Sequence, residues 1–184
     1  SDITKQFAAL TVEINPNVRI VIYRGTDETL IGWKEDFMMS FTAETEGARE
    51  AVSYLNQVAA CMDGALILGG HSKGGNFAMY AAVFCEKAIK ERIVRIYNND
   101  GPGFREELIG TKAYQDLLPK ITSIVPQTSI IGQLLSNRAE QIVVKSSAVG
   151  IFQHDVSTWE VTKDKFVRAK LDAFSDFVKV SLGA

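Results

Sequence analysis

The chain has 184 residues, enough for one domain with a buried core, and 46% of them are hydrophobic, as in ordinary globular proteins. A formal net charge of −2, with Lys and Arg scattered along the chain, argues against a nucleic-acid-binding surface. No apolar run approaches the roughly 18 residues that span a bilayer, and the first six residues do not resemble a signal peptide. We expect a single domain over residues 1–184 without a transmembrane segment. Because the chain starts close to its first predicted strand, a piece of a longer protein is an open alternative.

Cysteine and histidine usage argues against a metal centre. Cys61 and Cys85 each fall inside a helix-like pattern, so we expect two buried thiols in a reducing cytoplasm, with a disulfide between them as the alternative. The two cysteines and two histidines do not have the spacing of zinc ligands. The sequence therefore predicts a cytoplasmic protein without a metal or another cofactor.

The first predicted elements are a hairpin, a helix and a buried strand. Two β-rich runs, Thr11–Ile14 and Val18–Tyr23, flank the turn-forming trio Asn15-Pro16-Asn17. Apolar residues recur at helical spacing from Gly47 to Met62, after a plausible helix start at Thr45 and Glu46. The run from Ala65 to Gly69 is short and fully apolar, which is typical of a buried strand.

Helical and strand patterns then alternate to the end of the chain. A helix is predicted over Lys73–Lys87 and another around 105–118, and the remaining strands are Ile93–Tyr97, Ile121–Val125 and Gln141–Lys145. A closing helix is predicted from the spacing of Phe166, Ala169, Ala173, Phe174, Phe177, Val178 and Ser181. Such alternation indicates a three-layer α/β fold: a mostly parallel sheet with an N-terminal antiparallel hairpin and helices on both faces.

The stretch Gly70-His71-Ser72-Lys73-Gly74 matches the pattern G-x-S-x-G between a predicted strand and a predicted helix. A phosphate-binding P-loop would need lysine where Gly75 stands. In a nucleophile elbow the chain reverses sharply at the serine, so the residues two before and two after it must lack side chains. Gly70 and Gly74 meet that requirement, and Ser72 is the candidate nucleophile. A purely structural glycine-rich turn is the alternative.

A serine nucleophile needs a base, and the chain offers two histidines. The side chain of His71 should diverge from its neighbour Ser72, so we expect it to be a packed residue of the turn. His154 follows the last predicted strand of the main sheet and is the candidate base, although a lone histidine is often only a surface residue.

The orienting acid should lie between Ser72 and His154 in the chain. Among the seven carboxylates of that interval, Asp100 directly follows a convincing strand, so it is the candidate acid; a turn-forming role before Gly101 is the alternative. Asp155 is next to His154 in sequence and poorly placed to hold its ring.

An oxyanion hole needs two donors. The backbone N–H of Lys73, which follows the candidate nucleophile, is one, and Thr26, in the loop after the strand Val18–Tyr23, is the second candidate.

Three segments, Ile22–Thr26, Gly32–Phe37 and Gly70–Gly75, resemble the fungal-type, class 3 lipases among the α/β-hydrolases. More closely, five segments resemble an uncharacterised bacterial lipase-like family. They are Tyr23–Asp27, Gly32–Phe37, Gly70–Asn76, Tyr97–Phe104 and Gln153–Asp155. The resemblance implies an α/β-hydrolase-like fold, Ser72 as nucleophile, His154 as base, Thr26 and Lys73 as oxyanion donors, and Asp36 as a residue that orients the Thr26 hydroxyl. For the segment around Asp36, a packed amphipathic turn is the alternative.

The sequence departs from these lipases in two places. Their acid usually follows the next strand, where this chain has Gln127-Thr128-Ser129 and no carboxylate. Either Asp100 takes the role, or Gln127 or Ser129 holds His154, or the triad is incomplete. Lys73 stands where an apolar residue is common, which could favour anionic substrates or simply place a lysine in solvent. The segment Ile130–Leu135 is either an apolar flap or a packed helix.

The sequence therefore predicts a serine hydrolase that cleaves an ester or related acyl bond of a small-molecule substrate through an acyl-enzyme. One alternative is a hydrolase-shaped binding or scaffold domain with degraded chemistry. A second is an acyltransferase that uses the same residues.

Overall fold

The computed structural model describes residues 7–25, 45–175 and 177. Within these residues, six strands form one mixed sheet whose spatial order follows the chain. The strands are β1 (Ala9–Asn15), β2 (Val18–Tyr23), β3 (Ala65–His71), β4 (Ile93–Asn99), β5 (Ile121–Pro126) and β6 (Glu140–Val144). β1 pairs with β2 antiparallel, and every later pair is parallel. The predicted α/β class, the mostly parallel sheet and the N-terminal hairpin are thereby confirmed.

Five α-helices and four short 3₁₀ helices connect the described strands. The α-helices are α1 (Glu46–Cys61), α2 (Lys73–Phe84), α3 (Lys87–Arg92), α4 (Glu106–Ile109) and α5 (Lys112–Leu117). The 3₁₀ helices are Leu118–Lys120, Ile131–Gln133, Gly150–His154 and Val156–Thr158. A separate small hairpin joins β7 (Val161–Thr162) to β8 (Lys165–Phe166).

The first helix forms where its cap and its apolar spacing predict it. The Thr45 side chain accepts a hydrogen bond from the backbone N–H of Ala48 at 3.1 Å, which satisfies a donor that the first turn would otherwise leave unpaired. The buried residues of α1 recur three or four positions apart and are Ala48, Ala51, Leu55 and Ala59. One face of α1 therefore packs into the core.

All five α-helices contribute to one large buried cluster. The same cluster takes Val21 and Tyr23 from β2, Leu66 and Leu68 from β3, and Ile96 from β4. Because Leu68 pairs with Ile96 and side chains alternate along a strand, these strand residues share one face of the sheet. Within the described part of the chain the helices thus cover that face. A helical layer on the opposite face stays a prediction.

Two predicted helices are each divided in two. The pattern over Lys73–Lys87 breaks at Cys85 and Glu86, whose backbones are extended, and the backbone N–H of Glu86 donates to the Asn56 side chain of α1. The pattern around 105–118 breaks after Gly110, where Thr111 caps a new helix. Tertiary contacts and caps override helical periodicity at both places.

The prediction of a closing helix is wrong at its start. Phe166 lies in β8, and the chain beyond it continues extended beside β6, with the Val167 carbonyl accepting from the Lys145 N–H and the Ala169 N–H donating to the Val143 carbonyl. Pairing with the free edge of β6 satisfies backbone groups that a helix would otherwise have paired internally. Helical backbone begins at Ala173. Val178 and Ser181 lie outside the described residues.

The two cysteines are free, and they differ in exposure. Cys85 is buried, as expected, whereas Cys61 is exposed at the end of α1, so the prediction of two buried thiols is wrong for Cys61. In the last turn of an amphipathic helix, some side chains face solvent even when those of the earlier turns are packed. Burial raises the pKa of the Cys85 thiol to about 11, so this thiol stays protonated and unreactive at neutral pH.

No helix among the described residues has the length and apolar character that crossing a membrane requires.

Candidate active site

Ser72 occupies a strained turn between β3 and α2. Its backbone has φ 56° and ψ −129°, a conformation that side-chain-bearing residues rarely adopt and that costs on the order of 1–3 kcal/mol. The turn is held by three backbone hydrogen bonds. The Ser72 N–H donates to the Asn99 carbonyl at 2.9 Å, and the Ser72 carbonyl accepts from the N–H groups of Gly75 at 2.9 Å and Asn76 at 3.3 Å. The Ser72 side chain does not cap α2. The fold therefore stores strain at the serine without using its hydroxyl for the helix.

Gly70 and Gly74 allow the backbones around this turn to approach closely. A Cβ at Gly70 would lie 2.4 Å from the carbonyl group of Gly74, and a Cβ at Gly74 would lie 2.1 Å from the Tyr23 carbonyl oxygen of β2. Real Cβ atoms do not come so close to backbone atoms. Any larger residue at either position would push α2 away from the sheet.

Asp100 and His154 form a direct side-chain contact. Nδ1 of His154 lies 2.7 Å from Oδ2 of Asp100. The carboxylate is 1% exposed and the imidazole 12%. Asp100 comes immediately after β4 and Ser72 immediately after β3, and these parallel strands are neighbours, with His71 paired to Asn99. The serine and the aspartate therefore lie at the same edge of the sheet.

The other carboxylate oxygen of Asp100 is held by the segment after β5. The hydroxyl of Ser129 donates to Oδ1 at 2.5 Å, and the backbone N–H of Gly132 donates to the same oxygen at 3.1 Å. A carboxylate oxygen that accepts two hydrogen bonds is held in one orientation. One oxygen is thus anchored while the other faces His154.

Asn98 shapes the turn that carries Asp100. Its fully buried side chain accepts from the Gly101 N–H at 3.0 Å and donates to the Gly101 carbonyl at 2.9 Å, which closes the turn around Asp100. Asp100 itself has φ 48°, a strained backbone for an aspartate. From α2, the Asn76 amide donates to the carbonyls of Pro102 and Gly103.

The 3₁₀ helix Gly150–His154 brings His154 to the sheet edge and is anchored through Gln153. The Gln153 side chain accepts from the Thr128 N–H at 2.9 Å, and its backbone carbonyl accepts from the Trp159 indole N–H at 2.8 Å. Trp159 belongs to a second buried cluster with Ile124 and Val144. The candidate base is therefore tied to the packed end of β5 and β6.

The alternative partners for His154 have other contacts. Ser129 donates to Asp100, and the Gln127 side-chain oxygen faces the Ser146 N–H at 3.4 Å. Asp155 is exposed and accepts from the Ser157 N–H, a hydrogen bond that lowers its pKa. Likewise, the segment Ile130–Leu135 is a buried 3₁₀ turn rather than an exposed flap.

His71 is packed against His154 rather than solvent-facing. Its Nε2 lies 2.7 Å from the His154 backbone oxygen, and the two imidazole rings are 4.4 Å apart between centroids. Burial first, and then the neighbouring His154, hold the pKa of His71 below its usual value. The residue before the serine thus contacts the residue that carries the candidate base, a link that local sequence patterns do not reveal.

Lys73 and Thr26 are the two candidate oxyanion donors. Lys73 is the first residue of α2, so its backbone N–H lies at the positive end of a 12-residue helix, and its ammonium group lies 5.9 Å from the centre of the Phe77 ring. Thr26 and Asp36 lie outside the described residues. A Cβ at Gly25, the residue before Thr26, would lie 3.5 Å from Cβ of Ser72. The chain therefore passes beside the serine just before Thr26.

No group of three or more His, Cys, Asp or Glu side chains in the described residues could hold a metal ion. What the described arrangement offers chemically is a buried carboxylate against an imidazole and, at the same edge of the sheet, a strained serine at a helix N-terminus.

Comparison with solved structures gives a fold match at low sequence identity. A deletion mutant from the Rhizomucor miehei lipase propeptide complex aligns with TM-score 0.52 and 13% identity, covering 76% of this chain and 52% of that chain. The native form of the same complex gives TM-score 0.46 and 12% identity, covering 77% and 58%. The chain thus spans about half the length of the structures it matches. At such identity the likeness concerns the fold alone.

Sequence comparison places the chain in a family. No curated protein gives a significant match. The family model described as Mbeg1-like matches residues 1–182, almost the entire sequence. The chain belongs to the Mbeg1-like family.

Proposed function

We propose that this chain is a serine hydrolase that cleaves an ester or related acyl bond of a small molecule. Ser72 is the nucleophile, His154 the general base and Asp100 the acid that orients it. The observation that carries the proposal is the 2.7 Å contact between Nδ1 of His154 and the buried carboxylate of Asp100, one strand away from the strained Ser72.

The chemistry follows from which nitrogen of His154 holds the proton. A carboxylate only accepts hydrogen bonds, so the contact with Asp100 favours the proton on Nδ1, and Nε2 is then the unprotonated nitrogen that can accept a proton. Nε2 then takes the Ser72 hydroxyl proton as the oxygen attacks the acyl carbon, and returns it to the leaving group. Water, activated by the same nitrogen, releases the acyl group from the serine.

The negative charge that develops on the acyl oxygen of the substrate requires hydrogen-bond donors beside the serine. We assign this role to the backbone N–H of Lys73, supported by its place at the start of α2, and to Thr26, with Asp36 orienting the Thr26 hydroxyl. The support for this loop is that Gly25, the last described residue before it, approaches Ser72. Loss of one such donor typically costs on the order of 3 kcal/mol of barrier lowering.

The proposed fold is that of an α/β-hydrolase, with Ser72 on a nucleophile elbow. The strand–serine–helix order, the positive φ of Ser72 and the close approaches at Gly70 and Gly74 support it. The acid follows β4 in this proposal, one strand earlier than in the lipases that the sequence resembles. The segment after β5 keeps a part in the site because Ser129 and Gly132 donate to Asp100.

A fluorophosphonate probe tests the proposal directly, since it labels only a serine that a base activates. We expect labelling of the full chain at Ser72, abolished in Ser72→Ala and unchanged in Ser53→Ala, which alters an exposed serine on α1. Turnover of acyl esters of varied chain length should follow the same pattern. Absence of both labelling and turnover in the unaltered protein would overturn the proposal.

A binding or scaffold domain without hydrolytic activity is the second candidate. The comparisons favour it more than they favour catalysis, because the solved structure with TM-score 0.52 is titled as a propeptide complex, which concerns association between polypeptides. The site geometry favours the hydrolase. An acyltransferase would use the same residues, and product analysis with added alcohols or amines separates transfer from hydrolysis.

A further inference from the structure

His71 makes a hydrogen bond that has no part in the proposed chemistry. It is the last residue of β3 and immediately precedes Ser72, yet its ring reaches the backbone of a residue 83 positions away. The acceptor is the carbonyl oxygen of His154 itself, at 2.7 Å from Nε2 of His71. The strand that carries the serine is thereby tied to the segment that carries the base.

The direction of this hydrogen bond determines the tautomer of His71. A carbonyl oxygen only accepts, so the proton must be on Nε2 of His71. By the same reasoning, the contact with Asp100 requires the proton of His154 on Nδ1. The two histidines of the chain are therefore expected as opposite neutral tautomers, with rings 4.4 Å apart.

Different described contacts hold different parts of the segment that carries His154. Trp159 and Thr128 hold Gln153, the preceding residue, from the side of β5 and β6. Asp100 orients the imidazole ring. His71 contacts the His154 backbone from the side of β3, and its ring also lies against the His154 imidazole.

We infer that His71 is a positioning residue, which holds the His154 backbone beside Ser72 by donating a hydrogen bond from Nε2 to the His154 carbonyl. The inference rests on the proposed function for its catalytic consequence. Misplacement of a catalytic group by about 1 Å can cost on the order of 100-fold in rate. Loss of the donor should therefore lower kcat about 10- to 100-fold and change KM by less than about threefold.

Three substitutions separate the donor from the packing of the ring. His71→Phe keeps an aromatic ring against His154 and removes the donor. His71→Gln keeps an N–H donor and removes the ring, and His71→Met removes both with a flexible side chain in case the Phe variant does not fold. Thermal unfolding of each variant checks that it is folded.

Two readouts are taken: kcat and KM with a short-chain p-nitrophenyl ester, and ring ¹⁵N spectra of the histidines, which report tautomers without requiring activity. Since the chain has two histidines, His154→Gln assigns the two signals. We expect the Nε2–H form for His71 and the Nδ1–H form for His154 in the unaltered protein. The folded Phe or Met variant should lower kcat. Because a displaced His154 loses part of its contact with Asp100, the same variant should also mix the tautomers of His154. The Gln variant should restore the Nδ1–H form of His154 and bring kcat to within about fivefold of normal.

A proton on Nδ1 of His71, or an unchanged kcat and His154 signal in a folded variant without the donor, would overturn the inference. Failure of the Gln variant to restore activity while folded would assign the effect to ring packing and overturn it as well. If the unaltered protein turns over no ester but the tautomers respond as described, the proposed hydrolase function fails and the positioning of His154 by His71 stands.

Discussion

At the scale of single residues, the polar atoms of each side chain in the candidate site bind different partners. Asp100 uses one oxygen for Ser129 and Gly132 and the other for His154. His71 uses Nε2 for the His154 carbonyl. Asp100 is buried and His71 is partly buried, and an unpaired polar atom in such surroundings would be costly, so the arrangement resists rotation of either side chain.

Replacement of Asp100 tests whether it is the acid. In Asp100→Asn the side chain can donate to His154, which favours the wrong tautomer, and kcat for ester hydrolysis should fall about 10³- to 10⁴-fold. Asp155→Asn removes the neighbouring exposed carboxylate and should leave kcat within about threefold. Equal effects of the two substitutions, measured with the same ester, would contradict the assignment.

Protonation of His71 should couple stability to pH. Its pKa is lowered in the folded state, so below the unperturbed value of about 6.5 the unfolded chain binds more protons than the folded one, and the free energy of unfolding falls as pH falls. Asp100, Asp155 and His154 face this ring and modulate the effect. Urea unfolding at pH 7.5, 6.5 and 5.5 should show a smaller loss of stability in His71→Gln. An equal loss of stability in the unaltered protein and in His71→Gln would contradict the assignment of this pH dependence to His71.

At the scale of elements, the site depends on how closely α2 approaches the sheet. The approach is possible because glycines stand where β3 and α2 meet, and because β2 passes directly beside the first turn of α2. The first turn then leaves backbone donors at the serine. The close packing of α2 on the sheet and the placement of its backbone donors at Ser72 are therefore one structural feature.

Gly74→Ala should disturb this approach strongly. The added Cβ would lie 2.1 Å from the Tyr23 carbonyl oxygen, a backbone atom that cannot rotate away, so we expect a loss of about 1–3 kcal/mol in the free energy of unfolding, with loss of probe labelling at Ser72. Gly110→Ala, at a helix end with φ −70°, should change the free energy by less than about 1 kcal/mol. Denaturant titration of both variants measures the difference.

At the scale of the whole molecule, a continuous cluster joins four strands to all five α-helices of the described chain. Shared packing of this kind makes the sheet and its helices unfold together. The exposed apolar residues Leu10 and Ile22 lie outside that cluster, in the hairpin β1–β2.

Leu55→Ala should therefore destabilise the entire molecule. Leu55 of α1 is completely buried in the cluster, and such a substitution typically costs 2–5 kcal/mol through lost burial and the cavity left behind. Leu10→Ala, where the side chain is 59% exposed, should cost less than about 1 kcal/mol. If Leu10→Ala and Leu55→Ala lowered the free energy of unfolding by comparable amounts in chemical denaturation, the Leu10 side chain would be covered in solution.

Local pattern alone determined much of this protein. The hairpin, α1, the strand before the serine and the reversal at Ser72 depend on residues within a few positions of one another, so spacing and glycine placement predict them. The break at Glu86 and the strand-like chain after Phe166 were mispredicted because Asn56 and the free edge of β6 supply hydrogen bonds from distant parts of the sequence. The other divided helix breaks at a local cap, Thr111.

Only the tertiary structure decided which groups surround His154. Elimination among two histidines and seven carboxylates indicated His154 and Asp100, but it left Gln127 and Ser129 as alternatives and treated His71 as packing. The contacts that decide among them join residues 29 to 83 positions apart, as between Ser129 and Asp100 or His71 and His154. Such contacts depend on strand order and register in the sheet, which no local pattern encodes.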